Sequence, residues 1–320
     1  MQYLGVDISK EKFDVALIQD AQNPEKVKQK VFANSPAGFT RLMSWLESRA
    51  TEPVHVAMEA TGAYWEALAV FLCEKGLTVS VVNPGLIKKE AESWGVRNKT
   101  DSVDARVIAR FCLAKRPRAW VAPRADVREL RDLVRHLDCL EQEKRQNENR
   151  LGAGVTSDAV KHSLEEVLAF LDAEIKRLED HIADHIDRHP GLKTESKLLE
   201  SIPGIGKKTA AVVLGELGDI SNFSRAKQVS AYAGLSPRRI ASGKLKGQTR
   251  MCKAGNSRLR RALYFPAIVA ASSNPVIRGF YERLRRDGKC KMSAIGACMR
   301  KLIQIVYGVL KTGTAFEVPA

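Results

Sequence analysis

The stretch that decides the fold is YLGVDISKEKFDVALI, residues 3–18. Residues 3–8 and 13–18 are two apolar runs of strand length, and the four polar residues between them are typical of a tight turn. Asp7 interrupts the first run, although a charge beside a hydrophobic core is costly unless it is paired or binds a metal. The pattern therefore predicts a β-hairpin that carries a carboxylate for a functional reason.

The residues that follow predict an alternating α/β domain. A hairpin followed by alternating strands and helices resembles the ribonuclease H-like fold, in which catalytic acids lie on the first strand, at the end of the fourth strand and on a later helix. The expected elements are a strand at 27–33, a helix from about residue 36, a strand at 54–58, a helix at 63–75 and a strand at 77–82.

Three more carboxylates fall at those places. Glu59 ends the apolar run 54–58, and Asp101 and Asp104 open a helical pattern after a basic loop. Residues three apart share one face of a helix, so both aspartates can point to the same site. Carboxylates that converge repel each other unless a divalent cation lies between them. Asp7, Glu59, Asp101 and Asp104 are therefore predicted to form a magnesium-dependent phosphoryl-transfer site.

The middle of the chain, about 126–190, is helical and highly charged. Its apolar residues follow the alternating 4,3 spacing of a coiled-coil seam, and the glycines at 152 and 154 break the pattern into two helices. We predict a dimerising coiled coil, with an intramolecular helix pair as the alternative. His181, His185 and His189 recur every fourth residue and are interpreted as part of a solvated polar face. The main seam comprises Leu164, Leu168, Leu171, Ile175, Leu178 and Ile182.

Positive charge is concentrated at the C-terminal end. Residues 201–320 contain 22 basic and 5 acidic residues, and residues 220–281 contain no acidic residue. A solvated surface normally mixes both signs, so this stretch indicates a polyanionic partner, the alternative being an ordinary basic domain. The sequence IPGIGKK before an apolar helix predicts a helix-hairpin-helix that contacts a DNA backbone through Lys207 and Lys208, the alternative being only a tight helix connection.

One serine lies in a basic loop of this region. Ser242 is followed by a glycine, and basic residues precede and follow it. Cationic side chains can hold the non-bridging oxygens of a phosphodiester, but a serine needs activation to attack one. On residue chemistry alone, Ser242 is either a nucleophile or a loop residue that contacts a phosphate. The predicted nucleic-acid contacts here are Arg238, Arg239, Lys244, Arg250 and Lys253.

Composition limits where the protein acts. The six cysteines show no metal-binding spacing, which favours reduced thiols, and no apolar stretch is expected to be long enough to span a bilayer. We predict a cytoplasmic protein without a membrane partner; a prokaryotic cell and association with its nucleoid are implied only by the family resemblance given below.

Several blocks of sequence, in order, cover about residues 1–312 and resemble the DEDD transposases of the insertion-sequence-110 family. That resemblance implies a RuvC-like domain (1–122), a helical coiled-coil region (123–195) and a mostly helical C-terminal transposase domain (196–320). The blocks are GVDISKEKFDVAL, MEATGAYWE, VVNP, RNKTDSVDARVIARF, SIPGIGKKTAAVVL, YAGLSPRR with ASG, and RMCKAGNSRLRRALY.

The resemblance also implies a mechanism. By position, the metal-binding acids of the family fall on Asp7, Glu59, Asp101 and Asp104, and its serine nucleophile falls on Ser242. The expected cofactor is Mg²⁺, with Mn²⁺ as a substitute. A structured bridge RNA pairs with donor and target DNA, so base pairing reads the sequence while the protein reads the backbone. The resemblance implies a homo-oligomer, a dimer or a tetramer, in which the acids and the serine of one active site come from different subunits.

Three rival functions share parts of this sequence pattern. A metal-only RuvC-type nuclease or junction resolvase would use water in place of Ser242. A sugar-kinase-like ATPase also opens with GVDIS, but it needs glycine-rich phosphate loops that this sequence lacks. A non-catalytic scaffold that binds RNA or DNA does not require four carboxylates beside a hydrophobic core, where charges cost free energy.

Overall fold

A computed structural model of the chain describes residues 1–60, 62–94, 101–240 and 248–318, and the side chains at 101–103, 239–240 and 248–249 lie outside that description. The chain divides into two compact units, Met1–Ala122 and Pro123–Ala320. Each unit has its own hydrophobic core.

Unit 1 contains a five-stranded mixed sheet. The strand order is β3-β2-β1-β4-β5; β1 to β3 are antiparallel neighbours, whereas β4 is parallel to both β1 and β5. The predicted strands are therefore confirmed to within about one residue. Their bounds are β1 Gln2–Ile8, β2 Lys12–Ile18, β3 Val27–Ala33, β4 Val54–Glu59 and β5 Thr78–Val82.

Helices cover both faces of this sheet. The first two pack on one face, against a core that includes Phe13, Leu42 and Leu72. The other two pack on the opposite face, against a core that includes Tyr3 and Ile108. These helices are α1 Pro36–Glu47, α2 Glu66–Glu74, α3 Pro84–Ser93 and α4 Asp101–Lys115.

A glycine fixes where α4 crosses the sheet. A Cβ atom built on Gly5 of β1 would lie 2.1 Å from the carbonyl oxygen of Ala105 and 2.3 Å from the amide nitrogen of Ala109. Any side chain at position 5 would push α4 away from the sheet, because both contacts are with backbone atoms. At the other end of α4, the Cys112 thiol lies 3.7 Å from the carbonyl oxygen of His55, at the start of β4. Helix α4 therefore runs antiparallel to β1 and β4.

Unit 2 is mostly helical, as predicted, but it also contains a short antiparallel hairpin that the sequence analysis missed. The strands of that hairpin are β6 Pro237–Ile240 and β7 Gln248–Met251. The helices are α5 Ala125–Gly152, α6 Asp158–Arg188, α7 Pro190–Glu200, α8 Lys207–Leu217, α9 Ala226–Tyr232, α10 Ser257–Ala262, α11 Tyr264–Ser273, α12 Pro275–Arg286 and α13 Lys291–Thr312.

Helices α5 and α6 pack against each other as a hairpin within one chain. The buried apolar residues of α5 all lie between Val127 and Leu140, and Leu171 and Ile182 are the buried apolar residues of α6. The seam residues are thus at least half-buried by intramolecular packing, which is the alternative that the sequence left open. A dimer remains a prediction.

The interpretation of the three regularly spaced histidines as a solvated face is wrong for His185, and His189 is only partly exposed. His185 is buried, and its Nε2 lies 2.8 Å from the carbonyl oxygen of Asp126. The centres of the His185 and His189 rings are 4.4 Å apart with the rings tilted by 45°, and His189 Nδ1 lies 2.7 Å from the His185 carbonyl oxygen. These two side chains pack the end of α6 on the start of α5, whereas His181 is exposed.

The expectation about membrane spans also needs correction. By length and composition, α13 is apolar enough to cross a bilayer, the one such helix among the described residues. However, α13 contributes Leu302, Ile303 and Val306 to the core of unit 2, which is the arrangement of a core helix in a folded domain. All six cysteines are free thiols, as predicted.

Candidate functional site

Two of the predicted acids lie at one end of the unit 1 sheet. Asp7 is the sixth residue of β1, and Glu59 ends β4; the neighbouring pair Val6 and Met58 are in register. Side chains alternate along a strand, so Asp7 shares a face with Gly5, and Glu59 shares it with Ala57. Both acids therefore lie on the face that α4 covers, and both are half-buried.

The third and fourth acids open α4. Asp104 is half-buried and precedes Ala105, the residue that contacts Gly5. Because α4 runs antiparallel to β1 and β4, its first turn lies at the end of the sheet where those two strands finish. Asp101 is the first residue of α4, and its side chain lies outside the described residues. The structure thus brings Asp7, Glu59 and Asp104 to the same end and face of the sheet.

The donor set fits a hard cation, because carboxylate oxygens are the ligands that Mg²⁺ prefers. Among the side chains that the structure describes, no three His, Cys, Asp or Glu are grouped tightly enough to hold a metal ion. Asp101 is not among those side chains.

Sequence reasoning missed a further carboxylate beside this site. Asp14 of β2 lies directly opposite Asp7 in the antiparallel ladder, so the two side chains share a face. Its exposure is 8%, and its carboxylate lies 3.5 Å from Lys12 Nζ. The sequence contains a signal that could have identified Asp14, because Asp14 interrupts the second apolar run of the opening hairpin as Asp7 interrupts the first.

The predicted serine lies on the connection between β6 and β7. Ser242 and Lys244 belong to residues 241–247, which lie outside the described residues, and so does the side chain of Arg239. Arg238 and Arg250 are directly opposite each other in the ladder and are both exposed. Like charges in directly opposite positions destabilise a strand pair.

The foot of the hairpin is tightly constrained. Gly234 and Gly255 have φ values of 68° and 146°, and a Cβ on Gly255 would lie 2.4 Å from the Tyr232 carbonyl oxygen. The Arg260 guanidinium donates hydrogen bonds to the carbonyl oxygens of Ala233 (3.1 Å) and Lys253 (3.0 Å). The two chain segments that enter and leave the hairpin are therefore held together.

A buried carboxylate connects this foot to α5. Glu216 accepts hydrogen bonds from Arg135 Nε at 2.7 Å and from Asn256 Nδ2 at 2.7 Å. Burial alone would raise the pKa of Glu216, but these hydrogen bonds hold its pKa below the ordinary value. Asn256 in turn caps α10, because its Oδ1 accepts from the Leu259 amide at 3.0 Å. The ionised Glu216 thus braces the segment that follows the hairpin.

The predicted helix-hairpin-helix corresponds to α7, α8 and the glycine-containing turn that joins them. Gly204 has a φ of 103°, and a Cβ there would lie 2.9 Å from the carbonyl oxygen of Pro266, so this glycine permits close helix packing. A Cβ on Gly206 would contact nothing within 4 Å, which leaves the start of α8 open. Lys207 is exposed, whereas Lys208 forms ion pairs with Glu141 and Glu179.

Comparison with known proteins identifies the class of this chain. A family model described as a transposase, of the DEDD type, matches residues 4–157, and a model described as transposase of the IS116/IS110/IS902 family matches residues 196–282. Transposases are enzymes that process DNA.

Curated relatives agree with these matches. The chain is 35% identical to a pilin gene-inverting protein of Moraxella lacunata and 36% identical to that of Moraxella bovis, over 98% of this chain and 97% of each relative. It is 27% identical to the transposase for insertion sequence element IS1111A of Coxiella burnetii, over 82% of this chain and 76% of that relative. The chain belongs to the IS110/IS116 transposase family, and its substrate is DNA.

Proposed function

We propose that unit 1 is a ribonuclease H-like, RuvC-type domain whose Asp7, Glu59, Asp101 and Asp104 bind Mg²⁺, or Mn²⁺ in its place. The strand order β3-β2-β1-β4-β5 and the half-buried acids at one end of one face support this proposal. A metal bound there would stabilise negative charge on a phosphate. The unit boundary after Ala122 supports a first domain of residues 1–122, with a helical region at 123–195 and a transposase domain at 196–320.

Ser242 is the proposed nucleophile. Its Oγ attacks the phosphorus of a DNA strand, a phosphoserine ester forms, one P–O bond of the strand breaks, and the strand end leaves as a hydroxyl. The serine proton passes to a base or to solvent, and the oxygen of the leaving strand end takes up one proton from the same source. Arg238 and Arg250, which are opposite each other in the ladder of β6 and β7 and are both exposed, would hold the phosphate oxygens. The ester conserves the bond energy that strand rejoining needs.

We further propose that a structured guide RNA pairs with donor and target DNA, and that the protein acts as a homodimer or tetramer in the prokaryotic cytoplasm. The support for a polyanionic partner is the absence of acidic residues from 220 to 281. The test is to purify the protein with its co-expressed RNA and to sequence what is bound. A specific transcript from the flanks of its own gene is expected; random cellular RNA would contradict guidance.

Replacing Ser242 tests the nucleophile. We expect Ser242→Ala to abolish the covalent protein–DNA adduct seen on a denaturing gel with labelled DNA, while DNA affinity is retained. Ser236→Ala is the matched control, because Ser236 lies at the foot of the same hairpin and should leave the adduct intact. Asp7→Asn should also prevent adduct formation. Strand cleavage at a normal rate in Ser242→Ala would instead show a metal-only nuclease that uses water.

A further inference from the structure

A second basic surface lies in unit 1, away from the predicted acids. An open cavity of about 460 Å³ lies between the edge strand β3 and helix α1. Three cationic side chains line it: Lys30 of β3, Arg41 of α1, and Arg49, which follows the end of α1. No acidic side chain lines this groove, and residues 26–46 contain no acidic residue at all. A locally uncompensated positive surface is typical of a polyanion-binding site.

Two of these cations are held in place by aromatic rings. Lys30 Nζ lies 5.4 Å from the centre of the Phe32 ring, and Arg49 Cζ lies 5.4 Å from the Trp45 ring. Both rings are buried and meet edge to face at 6.0 Å, so they form a fixed support. The Arg49 Nη1 also donates to Ser48 Oγ at 2.8 Å. The cations are therefore positioned in advance, which lowers the entropic cost of binding an anion.

Ion pairing within the chain does not account for these cations. Among the described residues, Lys30, Arg41 and Arg49 form no salt bridge. Lysines on an edge strand can serve only to prevent edge-to-edge pairing of sheets. That role would explain Lys30, but it does not explain two arginines from the neighbouring helix that line the same groove.

We propose that the groove between β3 and α1 binds the phosphodiester backbone of a nucleic acid. Arginine, lysine and hydroxyl side chains are the groups that usually contact phosphates, and Thr40, Ser44 and Ser48 add hydroxyls to the lining. The groove lies on the sheet face that α1 covers, whereas Asp7 and Glu59 lie on the face of α4. It is therefore an anchoring surface separate from the acids, and it does not depend on Ser242 being the nucleophile.

The test is a charge-reversal variant, Lys30→Glu with Arg41→Glu, compared with Lys88→Glu plus Lys89→Glu. The control pair is exposed on α3 and also removes two cations from unit 1. Fluorescence anisotropy would measure the affinity of the full chain for a DNA duplex and for a structured RNA at several salt concentrations. Loss of two phosphate contacts should weaken binding about tenfold or more and reduce the salt slope by about 2, relative to the control.

The two probes identify the source of the phosphodiester. A reduced slope with DNA alone assigns the groove to DNA, and a reduced slope with RNA alone assigns it to RNA. The neutral variant Lys30→Gln with Arg41→Gln guards against misfolding, because loss of active protein lowers the amplitude without changing the salt slope. An unchanged slope for both probes in both variants would overturn the proposal.

Discussion

At the scale of single residues, β1 serves packing at Gly5 and carries a carboxylate of the predicted site at Asp7. Gly5 must lack a side chain because α4 backbone atoms occupy that space. Side chains alternate between the two faces of a strand, so Asp7, two residues after Gly5, also faces α4, at the level of its first turn. The close crossing at Gly5 thus determines how near Asp104 comes to Asp7. The sequence GVD is accordingly a structural and a chemical motif at once.

His55 gives unit 1 a pH-dependent stability. His55 Nε2 lies 2.8 Å from Ser80 Oγ, and the Ser80 hydroxyl donates to the carbonyl oxygen of Arg118 at 2.9 Å or of Pro117 at 3.0 Å. A hydroxyl has one proton, so His55 Nε2 is the donor in its contact with Ser80 Oγ. Burial lowers the pKa of His55 below its ordinary value of 6.5. The unfolded chain therefore binds the proton first as the pH falls.

The free energy of unfolding of unit 1 should decrease as the pH falls below about 6.5 and through the lowered pKa of His55. All four tryptophans lie in unit 1, so urea titrations followed by tryptophan fluorescence report on this unit. His55→Gln keeps a donor and removes the titrating ring, and its stability should depend less on pH between 7.5 and 5.5. An equal dependence in both proteins would contradict this prediction.

The sequence predicted residues that depend on local pattern and missed those that depend on register. Asp7 and Glu59 were found because each interrupts or ends an apolar run. Asp14 also interrupts one, but its relevance follows from its position opposite Asp7, which only the ladder reveals. The burial of His185 depends on where α5 packs on α6, and spacing along one helix cannot show that.

At the scale of elements, α5 and α6 are unequal partners. Residues 141–150 of α5 contain no apolar side chain, whereas α6 carries apolar residues along the same distal half of the hairpin. Phe170 is 63% exposed, and Val160 and Val167 are also exposed. Single exposed apolar residues are common, but several along one half of a helix indicate an interaction site. This unequal pairing supports the predicted dimer.

The variant Val167→Gln with Phe170→Gln tests that dimer. Each side chain contributes roughly 1–2 kcal/mol if it becomes buried between subunits, so the dimer should be weakened roughly 30-fold or more. Analytical ultracentrifugation over a range of concentrations measures the effect. Glu165→Gln with Glu166→Gln is the control on the same turns. The fold should be unchanged, since both altered residues are exposed in one chain; a monomeric parent protein, or an unweakened dimer, would count against the prediction.

Element prediction failed where elements are short. Strands β6 and β7 have four residues each, too few to establish an alternating pattern, and their sequences are polar and basic. What stabilises this hairpin is its foot, where Gly234, Gly255 and Arg260 join residues well apart in the sequence. By contrast, the strands and helices of unit 1 were predictable because burial on one face repeats at a regular period.

At the scale of the whole molecule, charge and chemistry are distributed differently between the units. The predicted metal ligands are all in unit 1, and the largest acid-free stretch is in unit 2. The groove between β3 and α1 adds a smaller basic surface to unit 1. Binding of nucleic acid should therefore depend on cationic side chains, and strand cleavage should depend on the acids as well.

This separation predicts different responses to a chelator. With EDTA, DNA cleavage and the covalent adduct should be lost, because the proposed site of Asp7, Glu59, Asp101 and Asp104 would lose its divalent cation. DNA affinity at fixed ionic strength should change by no more than about twofold, since phosphate contacts by lysine and arginine do not require the metal. Mobility-shift and cleavage assays on the same samples measure both quantities, and Mg²⁺ or Mn²⁺ added in excess should restore cleavage.

The variant Asp7→Asn is the matched protein control, because it removes one charge from the predicted site without altering the basic surfaces. In Mg²⁺ it should behave as the parent protein does in EDTA, with binding retained and cleavage lost. Parallel loss of binding and cleavage in EDTA would mean that the metal supports the fold or the assembly. Undiminished cleavage in EDTA would show that the carboxylates of unit 1 take no part in the reaction and that their role is purely structural.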